Sequence, residues 1–245
     1  MLNNIYLGLK FSFSYFSILP IPFKNSDNLS HHTILGTMLF FFPLVGFVLG
    51  GMTVLLLMLV GHLEWYGALF SAVVYMMLYG FLHTEAIIDV ADALYASHSQ
   101  KDAYAIIKEP TVGAMGVLYA VALVILKLAG VVYLFEHGFW MEFIAILMVS
   151  RLSLLLLFRV HTFRSSFATQ LKNALTPPYL LGAFLLFGLL GMLLTSQFLL
   201  LLLIGLLLAL AISFTLKHKL GFLNGDVLGA TLEGVEILLF LGVLL

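Results

Sequence analysis

Three carboxylates in this chain lie on one helical stripe. In His83-Thr84-Glu85-Ala86-Ile87-Ile88-Asp89-Val90-Ala91-Asp92-Ala93, the acids Glu85, Asp89 and Asp92 stand at i, i+4 and i+7. At about 100° per residue they fall within a stripe roughly 60° wide. Stacked carboxylates repel and weaken a helix, so something cationic must neutralise them. One reading pairs them with Lys101, Lys108 or Arg164 at a solvated helix end. The other gathers Mg2+ or Mn2+, hard ions that take oxygen ligands, keep some water and bridge carboxylates to substrate phosphates. His83 opens the stripe. No second His or Cys has the spacing of a helical zinc pair, so a polar cap or a phosphate contact suits it better than zinc.

Two further polar patches follow. In Lys108-Glu109-Pro110-Thr111-Val112-Gly113-Ala114-Met115-Gly116, Pro110 breaks one helix and the next starts near Thr111. Free N–H groups at such a start, beside Gly113 and Gly116, suit a phosphate, and Lys108 adds charge. Pro and Gly equally mark plain loop-to-helix junctions. In Lys217-His218-Lys219-Leu220-Gly221-Phe222-Leu223-Asn224-Gly225-Asp226-Val227, the run Asn224-Gly225-Asp226 reads as a turn with Asp226 as N-cap of the last helix. Glu233 and Glu236 follow Asp226 at i+7 and i+10 within an apolar run, with Lys127 or Arg151 as partners.

The elements that position these residues must be membrane helices. Of 245 residues, 62% are hydrophobic and only 9% charged, with net charge −1; soluble domains carry roughly a quarter charged residues. That balance excludes a soluble globular enzyme, a disordered tail and a basic nucleic-acid-binding domain. With no cysteine, disulfides, Cys-ligated zinc and thiol nucleophiles are excluded. Long continuous apolar runs favour helices over a barrel. The expectation is an all-α polytopic bundle in the lipid bilayer, a single domain over 1–245. Seven spans are read at Ile34–Val60, Trp65–Leu82 (continuing as helix past it), Val112–Tyr133, Met141–Phe158, Leu180–Leu194, Phe198–Phe214 and Val227–Leu245. The pair at 180–214 reads equally as one helical hairpin. Ile5–Leu19, amphipathic and stopped by Pro20 and Pro22, reads as an interfacial or half-inserted helix. It lacks the charged start and cleavage site of a signal peptide.

Lys24, Lys101, Lys108, Arg159, Arg164, Lys172, Lys217 and Lys219 fall in alternate connections, while 61–64, 134–140 and 195–197 hold no Lys or Arg. Basic loops face the cytoplasm, so all three polar patches converge there. Carboxylates for a metal, cations for phosphates and glycines for close backbone approach fit phosphoryl or phosphodiester transfer.

At these residues the chain resembles the adenosylcobinamide-GDP ribazoletransferases, or cobalamin 5'-phosphate synthases. The family pattern is H-L-D-G-L-A-D-T-A-D-G, then K-D-S-R-I-G-T-x-G, then G-G-x-T-G-D-x-L-G-A. The matching stretches here begin at His83, Lys108 and Gly221, and Phe16-Ser17-Ile18-Leu19-Pro20-Ile21-Pro22 and Phe42-Pro43-Leu44-Val45-Gly46-Phe47-Val48-Leu49-Gly50 resemble its N-terminal pattern. The chain departs at Glu85-Ala86 for Asp-Gly, Ala93 for Gly, and Pro110-Thr111 for Ser-Arg. The lost Arg is a phosphate clamp that Lys108 or Arg164 would replace. The resemblance implies transfer of the cobinamide phosphate of adenosylcobinamide-GDP to a hydroxyl of alpha-ribazole or its 5'-phosphate, with release of GMP. It also implies Mg2+ as cofactor and an inner-membrane enzyme with a cytoplasmic site. A homo-oligomer or a complex with other cobalamin-assembly enzymes stays open. On this reading Glu85, Asp89, Asp92 and Asp226 are metal ligands, and Asp92 (as base) and Lys108 are catalytic. His83, Gly113, Gly116, Arg164, Asn224 and Gly225 contact substrate. The rivals are a CDP-alcohol phosphotransferase, although no Ala-Arg pair follows the stripe, an ion-coupled transporter using the acids as a relay, and a non-catalytic scaffold.

Overall fold

The computed structural model describes residues 2–96, 102–109 and 111–243. The described residues form helices and connections with no strand: α1 (Leu2–Phe16), α2 (His32–Phe40), α3 (Phe42–Val60), a 3-10 turn (Gly61–Leu63), α4 (Trp65–Leu78), α5 (Leu82–Ala96), α6 (Ala103–Ile106), α7 (Ala114–Glu136), α8 (Trp140–Val160), α9 (Ser166–Ala174), α10 (Pro177–Leu194), α11 (Phe198–Leu220) and α12 (Gly225–Gly242). In lipid every backbone polar group must be satisfied within the chain, and helices do this locally.

Five helical segments are long and apolar enough to cross a membrane, or six if α4 and α5 form one bent span. The difference from seven lies at α4, which counts only if joined to α5, and at α12, while a break inside the first expected span leaves the count unchanged. The run read as Ile34–Val60 divides at Phe41, whose φ −86 and ψ 1 leave the helical region just before Pro43 enters the first turn of α3. The stripe helix, expected to continue the second span, is a separate element. Gly80 (φ 65) and Phe81 (φ 53) turn the chain into the left-handed region, and α5 leaves α4 at 78°. α12 carries Asp226, Glu233 and Glu236 and is not among the five. The α10–α11 pair forms the hairpin, turning at Thr195 and Gln197.

α8 is the axis of the bundle. Its apolar window is 83% buried, against 22–39% for the other four spans, and it packs on α3, α10, α11 and α12. Leu181, Leu185 and Leu189 of α10 and Leu200, Leu203 and Leu207 of α11 face outward, as lipid-facing residues do. Mid-bundle, Lys127 Nζ lies 2.6 Å from Glu233 Oε2 and 2.7 Å from Glu236 Oε2, and Arg151 Nη1 lies 2.8 Å from Glu236 Oε1. All four side chains are at most 1% exposed. Tyr75 donates to Glu236 Oε2 at 2.9 Å, and Ser150 to Glu236 Oε1 at 3.0 Å. Both expected partners of Glu233 and Glu236 are present. Lys127 also donates to Tyr79 (3.3 Å), whose hydroxyl meets Thr84 Oγ1 at 3.0 Å, so the network anchors the first turn of α5.

Candidate active site

A second, smaller apolar core holds the site together. Val90 and Ala93 of α5, Ala103 and Ile107 around α6, Leu220, Phe222 and Leu223 after α11, and Val227 of α12 bury against one another. The three polar patches therefore converge as their topology implied, and each finds a specific partner.

Asp92 reaches the start of α7. Its Oδ2 accepts the Gly113 N–H at 2.6 Å and its Oδ1 the Gly116 N–H at 2.7 Å. A Cβ on Gly113 would stand 2.4 Å from Asp92 Oδ1, and one on Gly116 would stand 2.6 Å from both Asp92 Oδ2 and the Ile88 carbonyl. The two glycines make room for the carboxylate, so the N–H groups expected to receive a phosphate hold Asp92. An anion at a helix start is favoured by the free N–H groups and the dipole.

Asp226 is not the cap of α12. Asn224 Oδ1 caps it, accepting the Val227 N–H at 3.0 Å, while Asn224 Nδ2 donates to Asp226 Oδ2 at 2.7 Å. Asn224 thus aims Asp226 from within the first turn, and Gly225 is exposed beside it. The half-buried Asp89 carboxylate faces the charges of Asp226, Glu85 and Asp92, and Glu85 in turn faces Asp226. No lysine or arginine among the described residues forms an ion pair with Glu85, Asp89, Asp92 or Asp226. Lys101 lies outside the described residues, as does Pro110. Among the described residues no group of three or more acid or histidine side chains stands close enough together to hold a metal ion. Oxygen donors with no cation beside them still fit Mg2+, which takes one or two protein carboxylates plus water and substrate phosphates.

The cations stand on an aromatic platform that composition and spacing did not single out. The Arg164 guanidinium stacks 3.9 Å from the centre of the Tyr104 ring, and Lys108 Nζ lies 4.6 Å from it. Tyr104 packs edge-on against Phe222 at 5.0 Å. The Arg164 N–H donates to the Leu223 carbonyl at 2.8 Å, and its side chain pairs loosely with Asp102 at 3.8 Å. These contacts tie the basic segment to the turn that presents Asp226. An aromatic residue placed between Lys101 and Lys108 was the available signal.

Ala86 sits where the family pattern has Gly. A Cβ on Gly229 would come within 2.8 Å of the Ala86 methyl, so the small residue that lets α5 and α12 approach here is Gly229. His83 is buried and lines a cavity between α1, α2, α3, α5, α8, α9 and α12 whose lining also includes Asp226. Burial, and then the Asp226 charge, push the Tyr15 phenol at this cavity above its ordinary value.

The family description cobalamin-5-phosphate synthase matches residues 8–244. The chain belongs to that family. Among its relatives is an adenosylcobinamide-GDP ribazoletransferase of Chlorobium phaeovibrioides, 30% identical over 96% of this chain and 95% of the relative. Proteins of the same name in Brevibacillus brevis (29%, covering 93% and 94%) and Chlorobaculum parvum (31%, covering 94% and 92%) are similar throughout. No solved structure matches the chain. Membership sets aside the CDP-alcohol and transporter readings and agrees with a multi-pass membrane protein.

Proposed function

We propose that the protein is a Mg2+-dependent adenosylcobinamide-GDP ribazoletransferase of the inner membrane, with its site facing the cytoplasm. The observation that carries the reading is the convergence of Glu85, Asp89 and Asp226 with no basic partner among the described residues. An uncompensated acid group at a bilayer edge is costly, and a divalent ion arriving with a diphosphate removes that cost. Arg164, Lys108, Lys172 and Lys219 lie in the same alternate connections as the site, which supports the cytoplasmic orientation.

One or two of Glu85, Asp89 and Asp226 would hold the ion, with water and the diphosphate completing its ligands. Bound there, Mg2+ neutralises the diphosphate and the charge that builds on the departing GMP. Arg164, flat on Tyr104, keeps guanidinium N–H groups at its edge for a phosphate oxygen, and Lys108 adds a second cation. A ribose hydroxyl of ribazole, or of its 5'-phosphate, attacks the phosphorus next to the cobinamide. The new P–O bond forms as the bond to GMP breaks. Both oxygens of Asp92 already accept N–H groups at the start of α7 and are turned away from an incoming hydroxyl's proton. The hydroxyl proton therefore passes to a free oxygen of Asp89, and Asp92 fixes α7 against α5. This moves the base from Asp92 to Asp89.

The test is GMP release by protein reconstituted in lipid with adenosylcobinamide-GDP, ribazole and Mg2+. EDTA should stop it, added Mg2+ should restore it, and Asp89→Asn should lower it by roughly a hundredfold or more. Undiminished GMP release in EDTA and by Asp89→Asn would overturn the reading.

A further inference from the structure

The cavity beside Asp226 has about 140 Å3 of space. Cavities of roughly this size admit a single small aromatic molecule, whereas drug-sized ligands need about 300 Å3 or more. A corrin is therefore far too large for it. Its wall is built of rings: Phe16 of α1 and Phe42 of α3, 4.0 Å apart, with Phe158 of α8 and Phe167 of α9. Its polar groups are few. They are the Tyr15 hydroxyl, His83, the Ser165 hydroxyl and, with Gly225 in the lining, Asp226. The His83 ring nitrogens make no hydrogen bond with the described residues, although the residue is only 6% exposed.

Two flat bicyclic bases take part in the proposed reaction, and the lining discriminates between them. Guanine carries a carbonyl, an amide N–H, an amino group and further ring nitrogens around its edge. Four polar groups in a wall otherwise of Phe, Leu, Ala and Gly would leave several of these unpaired, and a buried polar group without a partner is penalised. The benzimidazole of ribazole has an apolar edge and a single free ring nitrogen, for which one donor suffices. His83 supplies such a donor. Stacking on aromatic faces serves any base.

We propose that this cavity seats the benzimidazole of ribazole. Phe16, Phe42 and Phe158 pack its faces and edge, His83 donates to its free ring nitrogen, and the ribose is left beside Asp226. The inference rests on the transferase reading and adds to it the place where the nucleophile's base binds. It also explains why α1 and α9, which hold none of the acids, pack against the site.

The full-length protein in lipid nanodiscs provides the test, with KM determined for each substrate separately. Ala168→Leu fills the cavity from α9. It should raise KM for ribazole by about tenfold or more, leaving KM for adenosylcobinamide-GDP within about twofold. Leu154→Ala enlarges the cavity from α8 and should shift preference toward ribosides of bulkier bases. Should Ala168→Leu fail to fold, the base preference of Leu154→Ala decides alone, and an unaltered preference overturns the proposal. An unchanged ribazole KM in folded Ala168→Leu also overturns it. So does a rise confined to adenosylcobinamide-GDP, which would seat guanine there, or a rise reversed by changing lipid composition, which would make it an acyl-chain crevice. Absence of GMP release by the unmodified protein would instead sink the transferase reading itself.

Discussion

α12 carries two sets of acids that could hardly be treated more differently. Seven and ten residues into the bundle from Asp226, Glu233 and Glu236 are buried and matched by Lys127 and Arg151, two negative charges against two positive. At its first turn Asp226 faces Glu85 and Asp89, with no positive charge paired to any of them among the described residues. The interior set is complete within the chain. The rim set needs a cation from outside. The same residue type serves the fold in one place and ligand binding in the other, and pairing, more than burial, separates the two.

The largest effect should come from breaking the complete set. Glu236 takes Lys127, Arg151, Tyr75 and Ser150 at once. Glu236→Gln strands Arg151 and leaves Lys127 with Glu233 alone, and removing one partner of a buried pair costs about 3–5 kcal/mol. The expected outcome is a sharp fall in folded yield and in thermal midpoint in detergent. A normal midpoint would show that water or lipid headgroups reach the network and that the contrast drawn here is wrong.

Asp226→Asn sharpens the comparison in the opposite sense. It removes one of several mutually repelling charges, so the metal-free protein should melt at the same temperature or higher. GMP release should fall by roughly a hundredfold or more. A fall in stability comparable to that of Glu236→Gln would make Asp226 a structural residue.

Asp92 falls between the two classes. It belongs to the acidic stripe by sequence, yet both its oxygens are engaged by α7. Asp92→Asn retains one acceptor and loses the charge, so it should cost about 1 kcal/mol, as loss of a helix cap does. Gly116→Ala should cost more, because its methyl would meet both the carboxylate and the Ile88 carbonyl. Thermal unfolding of the two variants checks the order.

Patterns local in sequence were readable, and contacts between patterns were not. Hydropathy found the long helices and the α10–α11 hairpin, and buried charges of opposite sign announced the network of Lys127, Arg151, Glu233 and Glu236. The break at Phe41 was hidden because both sides of Pro43 are equally apolar. The bend before α5 was hidden because Phe81, a bulky residue, adopts a positive φ that its type disfavours. Asp92 and Gly116 were both singled out, but as partners of a metal and a phosphate. Only tertiary packing reveals that they are partners of each other. Likewise the cap expected at Asp226 belongs to Asn224, since either residue type caps a helix and two positions separate them.

The smallest effect belongs to the cations. Arg164 has an exposed pairing with Asp102 at 3.8 Å, and such surface pairs are worth little. What orients Arg164 and Lys108 is the Tyr104 ring. A cation on an exposed ring gains about 0.5–1 kcal/mol, so Tyr104→Leu should raise KM for adenosylcobinamide-GDP about two- to fivefold. KM for ribazole should not move, because Tyr104 is absent from the cavity wall. Asp102→Asn should leave both constants near their original values. If Tyr104→Leu altered the ribazole constant instead, the platform would serve the nucleophile, and the division between a phosphate-binding rim and a base-binding cavity would have to be redrawn.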